Sequence, residues 1–268
     1  MAEAPFNWFE IGVVTYGMGA VACFILFALM SMNWGRRIRG GLLLIGVLVT
    51  GVWGLSAALY AGSGFGAWSG TYNVLESVRV LSWLLLLLVL LHRPPADGES
   101  RPHLFAVASA TVAFLGFCVL GATLVPSLSL IGNIISIDIR IAGHMLLAIV
   151  GMVLVEQVFH GTAVSQRSTM KYVCVGIGGL MAYDFFLYSD ALLFRRVDLG
   201  LWNGRGLIPA IVAPLVAATA GRHEQWSIDL FVSRTAAVYA AALVGSGVYL
   251  LVMEAGDFRD TRKITLLK

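Results

Sequence analysis

Glu76 and Arg79, Arg140 and His144, and Asp184 interrupt stretches of sequence that are otherwise apolar. Titratable groups in such surroundings pair with opposite charge, hold or pass a proton, or bind a polar ligand. Their spacing narrows the choice. Glu76 and Arg79 are three residues apart and Arg140 and His144 are four apart, so each pair shares one face of a helix. Asp184, Tyr188, Ala191 and Arg195 follow one another at helical steps, whereas Asp190 is rotated about 120° from Asp184 around the same axis. Arg195 and Arg196 close the segment "YDFFLYSDALLFRRVD".

Such groups need elements to carry them, and composition says what those are. Of 268 residues, 59% are hydrophobic and 12% charged, against roughly 25% charged in soluble domains. A bilayer core needs about 20 mostly apolar residues per helix. Eight stretches qualify: 11 to 32, 41 to 61, 72 to 91, 104 to 125, 137 to 158, 171 to 193, 206 to 221 and 235 to 254. The expected fold is therefore all-α, a polytopic transmembrane helical bundle with about eight spans. Residues 1–256 form one membrane domain and 257–268 a short charged tail. The first span follows Glu3 and Glu10 instead of a basic leader, unlike a cleaved signal peptide.

Arginine and lysine accumulate in cytoplasmic loops. "NWGRRIRGG", "HRPPADGESRPH" and "GTAVSQRSTMK" then face the cytoplasm and the N-terminus lies outside. Arg195, Arg196 and Arg205 fall in an outer loop on this count, and the tail after Glu254 is also left outside. Trp8, Trp34, Trp68, Trp202 and Trp226 sit near span ends, where interfacial anchors belong. At about 1.5 Å of rise per residue, Glu76 and Arg79 lie roughly 6 to 10 Å below the outer surface, Arg140 and His144 roughly 5 to 10 Å, and Asp184 about 10 Å. Spans three, five and six thus deliver opposite charges to one layer, with Asp190, Arg195 and Arg196 at its mouth.

Each charge taken singly serves equally well as packing glue between helices, and for His144 the packing role is favoured. Clustering at one depth favours binding for the set. The run Tyr183, Phe185, Phe186 and Tyr188 reads as packing and an interface belt, Ala237, Ala241 and Gly245 as a close helix contact, and Pro209 and Pro214 as sites of bending.

Recognisable catalytic patterns are missing: there is no GxxxxGK[ST], HExxH or GxSxG. "HEQW" at His223 lacks a second histidine, and "GSGFG" at Gly62 does not complete GxGxxG. Cys23, Cys118 and Cys174 lie inside spans without metal-ligand spacing, so buried free thiols are expected. A net charge of +3 carried by loops gives no basis for nucleic-acid binding.

"YDFFLYSDALLFRRVDLGLWNGRGLI", Tyr183 to Ile208, and "QWSIDLFVSR", Gln225 to Arg234, resemble the membrane region of PrsK-type sensor histidine kinases of the PEP-CTERM/exosortase system in Gram-negative bacteria. "LVEQVF" at Leu154 and "ESVR" at Glu76 extend the resemblance over most of the chain from the third span onward. It implies a multi-span sensor in the inner membrane, followed by a GAF domain and a kinase core. The core would use ATP and Mg and pass phosphate to a response regulator, PrsR, controlling exopolysaccharide and PEP-CTERM protein expression. A homodimer is usual for such kinases. After Glu254 the chain reads "AGDFRDTRKITLLK", without GAF or kinase sequence, so it is expected to be a truncated or frame-disrupted sensor half or an artificially bounded piece of one, inactive by itself and without a cofactor of its own. Family members continue into a ninth span that returns the chain to the cytoplasm.

The expected function is thus a sensory domain whose outer polar layer binds a stimulus or changes protonation. The alternative is a transporter or channel using the same charges, and a membrane enzyme with an outer-face active site ranks last.

Overall fold

The computed structural model describes residues 8–32, 38–66, 68–92, 102–124, 138–162 and 164–220. The eighth expected span, the Ala237–Ala241–Gly245 repeat, His223, the "QWSIDLFVSR" motif and most of the loops expected to face the cytoplasm lie outside these residues, as does the second compact unit, Val232–Lys268.

Every regular element among the described residues is a helix: α1 (Trp8–Met32), α2 (Ile38–Gly62), α3 (Ser69–Leu91), α4 (Pro102–Leu124), α5 (Ile139–His160), α6 (Val164–Phe194), α7 (Leu199–Arg205) and α8 (Ile208–Ala220). Among the described residues, seven segments are long and apolar enough to cross a membrane, α7 and α8 together supplying the last, Leu199–Ala217. Helices follow from the medium, because without water each backbone N–H and C=O must be bonded within its own segment. Large apolar side chains point outward all round the bundle, among them Val21, Val107, Phe114, Phe117 and Val175. Such a surface suits lipid. The protein is a multi-pass helical membrane bundle.

Consecutive helices pack together from α1 to α6, and α1 and α6 each also contact α8, while α3 reaches α2, α4 and α5. Trp83, Leu84, Leu87, Leu147, Val173, Ile177 and Met181 fill one large apolar core. The Trp83 indole donates to Thr50 Oγ1 at 3.0 Å, so even this core leaves its one indole N–H satisfied. A second, smaller cluster is aromatic, built from Tyr16, Trp53, Tyr72 and Trp202 with Tyr60 and Phe65 against it.

The last span departs from expectation. It begins at Leu199 instead of 206 and is broken. Asp198 caps it, accepting from the Leu201 N–H at 3.0 Å. The chain then closes a tight turn at Gly206 and Leu207, whose N–H groups bond to Asn203 and Gly204, and restarts at Ile208. Pro209 falls in the first turn of α8, where its missing N–H costs nothing. The break therefore lies ahead of the prolines. A Cβ on Gly206 would come within 2.6 Å of the Tyr16 backbone nitrogen, so only glycine lets the break press against α1.

Candidate functional site

Four charged side chains from α3, α6 and α7 meet inside the bundle: Glu76, Arg79, Asp184 and Arg205, each at most 4% exposed. Arg205 holds Glu76 with both terminal nitrogens, at 2.5 and 2.9 Å, and gives its Nε to Asp184 Oδ1 at 2.7 Å. Arg79 uses one terminal nitrogen for both acids, 2.6 Å from Asp184 Oδ2 and 3.1 Å from Glu76 Oε1. The Trp53 indole donates to Glu76 Oε2 at 2.9 Å. Two cations and two anions sum to zero, which is the arrangement that lets charge survive in low dielectric. The guanidinium carbons also lie over the Trp53 ring, Arg79 at 4.3 Å and Arg205 at 5.0 Å. Arg79 Nε is buried without a partner among the described residues.

An aromatic layer ties this tetrad to its neighbours. The Tyr72 hydroxyl accepts from the Trp202 indole at 3.0 Å and lies 3.5 Å from Arg205 Nη1. Tyr16 on α1 donates to the backbone carbonyl of Trp202 at 2.7 Å, and Tyr183 donates to that of Leu201 at 2.8 Å. Both carbonyls belong to the seven-residue helix α7, too short to persist alone. Its position is set by these contacts.

Beside the tetrad lies a cavity of about 430 Å³, within the size range of small-molecule sites. Glu76 and Arg205 form its floor, Tyr60, Tyr72, Tyr188 and Trp202 line its walls, and Asp138 and Arg140 its rim. Tyr60 and Tyr72 stack at 5.1 Å with ring planes 17° apart. Phe65 reaches the same wall from a left-handed backbone (φ 64°), its ring 4.9 Å from Tyr60 and 5.2 Å from Trp202. A bulky residue adopts that conformation only when its surroundings hold it there.

The residues singled out by spacing divide into three groups. Glu76, Arg79 and Asp184 are joined directly. His144 lies one layer away: its Nδ1 is 2.8 Å from the Arg140 carbonyl, which can only accept, so Nδ1 carries the proton. Its Nε2 is 3.3 Å from Ser77 Oγ, and its ring lies 5.2 Å from that of Tyr188, itself 5.3 Å from the Arg205 guanidinium.

The rest stand apart from the tetrad. Arg140 turns to Asp138, bonding it at 3.1 Å at the half-exposed rim. Burial raises the Asp138 pKa, but the side-chain bond and charge of Arg140 and the backbone N–H groups of α5 outweigh it and hold the carboxyl below its ordinary value. Arg195 and Arg196 are exposed beyond the end of α6, and Asp190 is half-buried. Among the described residues, no three His, Cys, Asp or Glu side chains converge as metal ligands would.

Arg205 corrects the assignment to an outer loop, since α7 carries it inside the bundle. "NGRG" around it reads as a loop because two glycines flank it, yet Asp198 as a helix cap and Trp202 four residues on are signals of a helix start. Trp202 is 5% exposed and so is no interfacial belt residue. Trp53, Tyr72, Tyr60 and Tyr16 carry no titratable signal at neutral pH and escaped the search for charge. No family model, no curated protein and no solved structure matches the chain.

Proposed function

We propose that the chain is the membrane sensory region of a PrsK-like sensor histidine kinase, lying in a bacterial inner membrane with its N-terminus and cavity facing the periplasm. A stimulus molecule enters the cavity and displaces α7, and the change passes through the helix bundle to a kinase core that uses ATP and Mg and phosphorylates PrsR. Exopolysaccharide and PEP-CTERM protein expression are the output, and a homodimer is the working unit. The observation that carries this reading is shared residues: Glu76, Tyr72, Trp202 and Arg205 line the cavity and also hold α7 to α3 and α6. A ligand can bias a bundle only through different contacts with its two states, and here it would touch the bonds that set the position of α7.

Two measurements test the reading. The reading frame beyond Lys268 should continue into GAF and kinase motifs, and a genomic stop codon there with no kinase sequence downstream would remove the parentage. In the full kinase, Ala191→Phe fills the cavity from a wall residue that makes none of the tetrad's bonds, and reporter transcription should become insensitive to the stimulus. Normal signalling at normal protein level would sink the sensory role.

A solute pathway is a second reading, because a membrane helix broken beside buried charge is a device of transporters. The layer of Trp83, Leu84, Leu87, Leu147, Ile177 and Met181 speaks against it, since it fills the bundle with apolar side chains. Solute or proton flux in liposomes separates the two, and a sensor gives none.

A further inference from the structure

We propose that the cavity takes an uncharged, ring-bearing small molecule with a hydroxyl or carbonyl edge, an inference that rests on the sensory reading of this site. The first ground is charge. Glu76, Arg205, Asp138 and Arg140 are the charged residues that line the cavity, and each is already bonded to an opposite charge within the protein. They sum to zero. An anion would have to draw Arg205 or Arg140 from its carboxylate, and a cation would have to draw Glu76 or Asp138 from its arginine. At the buried Glu76–Arg205 floor either exchange leaves a charge uncompensated in a place of low dielectric, and at the half-exposed rim it breaks an existing ion pair. An uncharged molecule asks for no such exchange.

The second ground is the shape and chemistry of the walls. Tyr60, Phe65, Tyr72, Tyr188 and Trp202 present ring surface from α2, α3, α6 and α7 together with the turn after α2. Flat apolar faces of a ligand bury well against such rings, in offset or edge-to-face geometry.

The third ground is unused hydrogen-bonding capacity. The Tyr60 and Tyr188 hydroxyls and the Asn73 side-chain amide make no hydrogen bond among the described residues, yet all three residues line the cavity. A hydroxyl is both donor and acceptor, and an amide supplies both kinds of group. They suit a hydroxyl or carbonyl on the ligand, and none of them requires it to be charged.

Matched probes of one size test the charge rule: 2-naphthol, 2-naphthoate and 2-naphthylmethylamine at about pH 7, where they are neutral, anionic and cationic. The protein is held in nanodiscs of neutral lipid, empty discs measure partition into the bilayer, and binding is followed by saturation-transfer NMR. Saturable binding of 2-naphthol above the empty-disc signal is expected, with both charged probes weaker by about tenfold or more. Ala191→Phe should abolish it, and Asn73→Ala, at a half-buried wall position, should weaken it roughly threefold to tenfold through one lost hydrogen bond. A charged probe binding as tightly as 2-naphthol overturns the inference and leaves the sensory reading standing. So does the absence of saturable 2-naphthol binding, or binding that neither variant changes. If instead Ala191→Phe removes 2-naphthol binding while the kinase reporter still responds to its stimulus, the ligand class survives and the sensory reading fails.

Discussion

Arg205→Met is the sharpest single probe of the buried tetrad. The substitution keeps a long flexible side chain but removes the three hydrogen bonds to carboxylates, those to Glu76 at 2.5 and 2.9 Å and to Asp184 at 2.7 Å, and with them the long contact to the Tyr72 hydroxyl at 3.5 Å. Two buried carboxylates are then left with Arg79 alone. Removing one partner from a buried ion network costs roughly 3–5 kcal/mol, most of it the penalty of an uncompensated charge. At about 2–4 °C per kcal/mol for a chain of this size, the melting midpoint should fall by roughly 6–20 °C. Thermal unfolding in detergent can be read with a maleimide fluorophore, because Cys23 and Cys174 are buried in the fold and become reactive when it opens.

The control is the double variant Arg205→Met, Glu76→Gln. It removes one charge of each sign and leaves the Arg79–Asp184 pair at 2.6 Å, neutral again. Glu76→Gln alone leaves an excess cation and should cost a similar amount, so the double should lose much less than the sum, with a coupling on the order of 2–3 kcal/mol. A single variant that melts within about 2 °C of the parent, or a double that loses the full sum of the singles, would refute the view that charge balance holds α7 in place.

Tyr72→Phe removes the acceptor of the Trp202 indole and should cost about 1–3 kcal/mol, read by the same melting assay. Gly206→Ala puts a Cβ 2.6 Å from the Tyr16 backbone nitrogen and should lower the midpoint through about 1–3 kcal/mol of overpacking, while Gly70→Ala, which meets nothing within 4 Å, should not. Asp138 has a depressed pKa, so the stability it contributes is present above the ordinary carboxylate pKa and is lost as pH falls through its lower folded value. Melting midpoints followed from about pH 5 down to 2 should therefore decline less steeply in Asp138→Asn.

The helical bundle was legible in the sequence because twenty apolar residues in a row have few other fates. Glu76, Arg79 and Asp184 were legible for the opposite reason, as costly exceptions to that pattern. Arg205 was not, since the apolar run of the last span starts after it and glycines flank it on both sides. Charge balance gave no warning either: Arg140, placed by depth in the same layer as Glu76, Arg79 and Asp184, supplied a second base for the two acids. Arg140 misled because a face shared with His144 says nothing about a competing partner two residues before it. Asp138 caps the helix and claims Arg140 at the rim, an interaction local in sequence and outside the layer estimated from depth. The aromatic walls were illegible because tyrosine and tryptophan are equally at home in a core, at an interface or around a ligand, and only packing decides among these.

The position of α7 follows from a contest between local and long-range terms. Seven residues form two turns, below the length at which a helix stands alone, and the turn at Gly206 uncouples it from α8. Its register therefore depends on side chains outside it: Tyr16 on α1, Tyr72 and Glu76 on α3, Tyr183 and Asp184 on α6. In the proposed sensor this makes α7 a segment that a ligand can move without unpacking the large apolar core. The large apolar core does not include it, and Trp202 on its inner face lines the cavity and bonds to both α1 and α3. A molecule against Trp202 would alter those two bonds together, and α1 would feel the change at Gly206, where the two backbones touch.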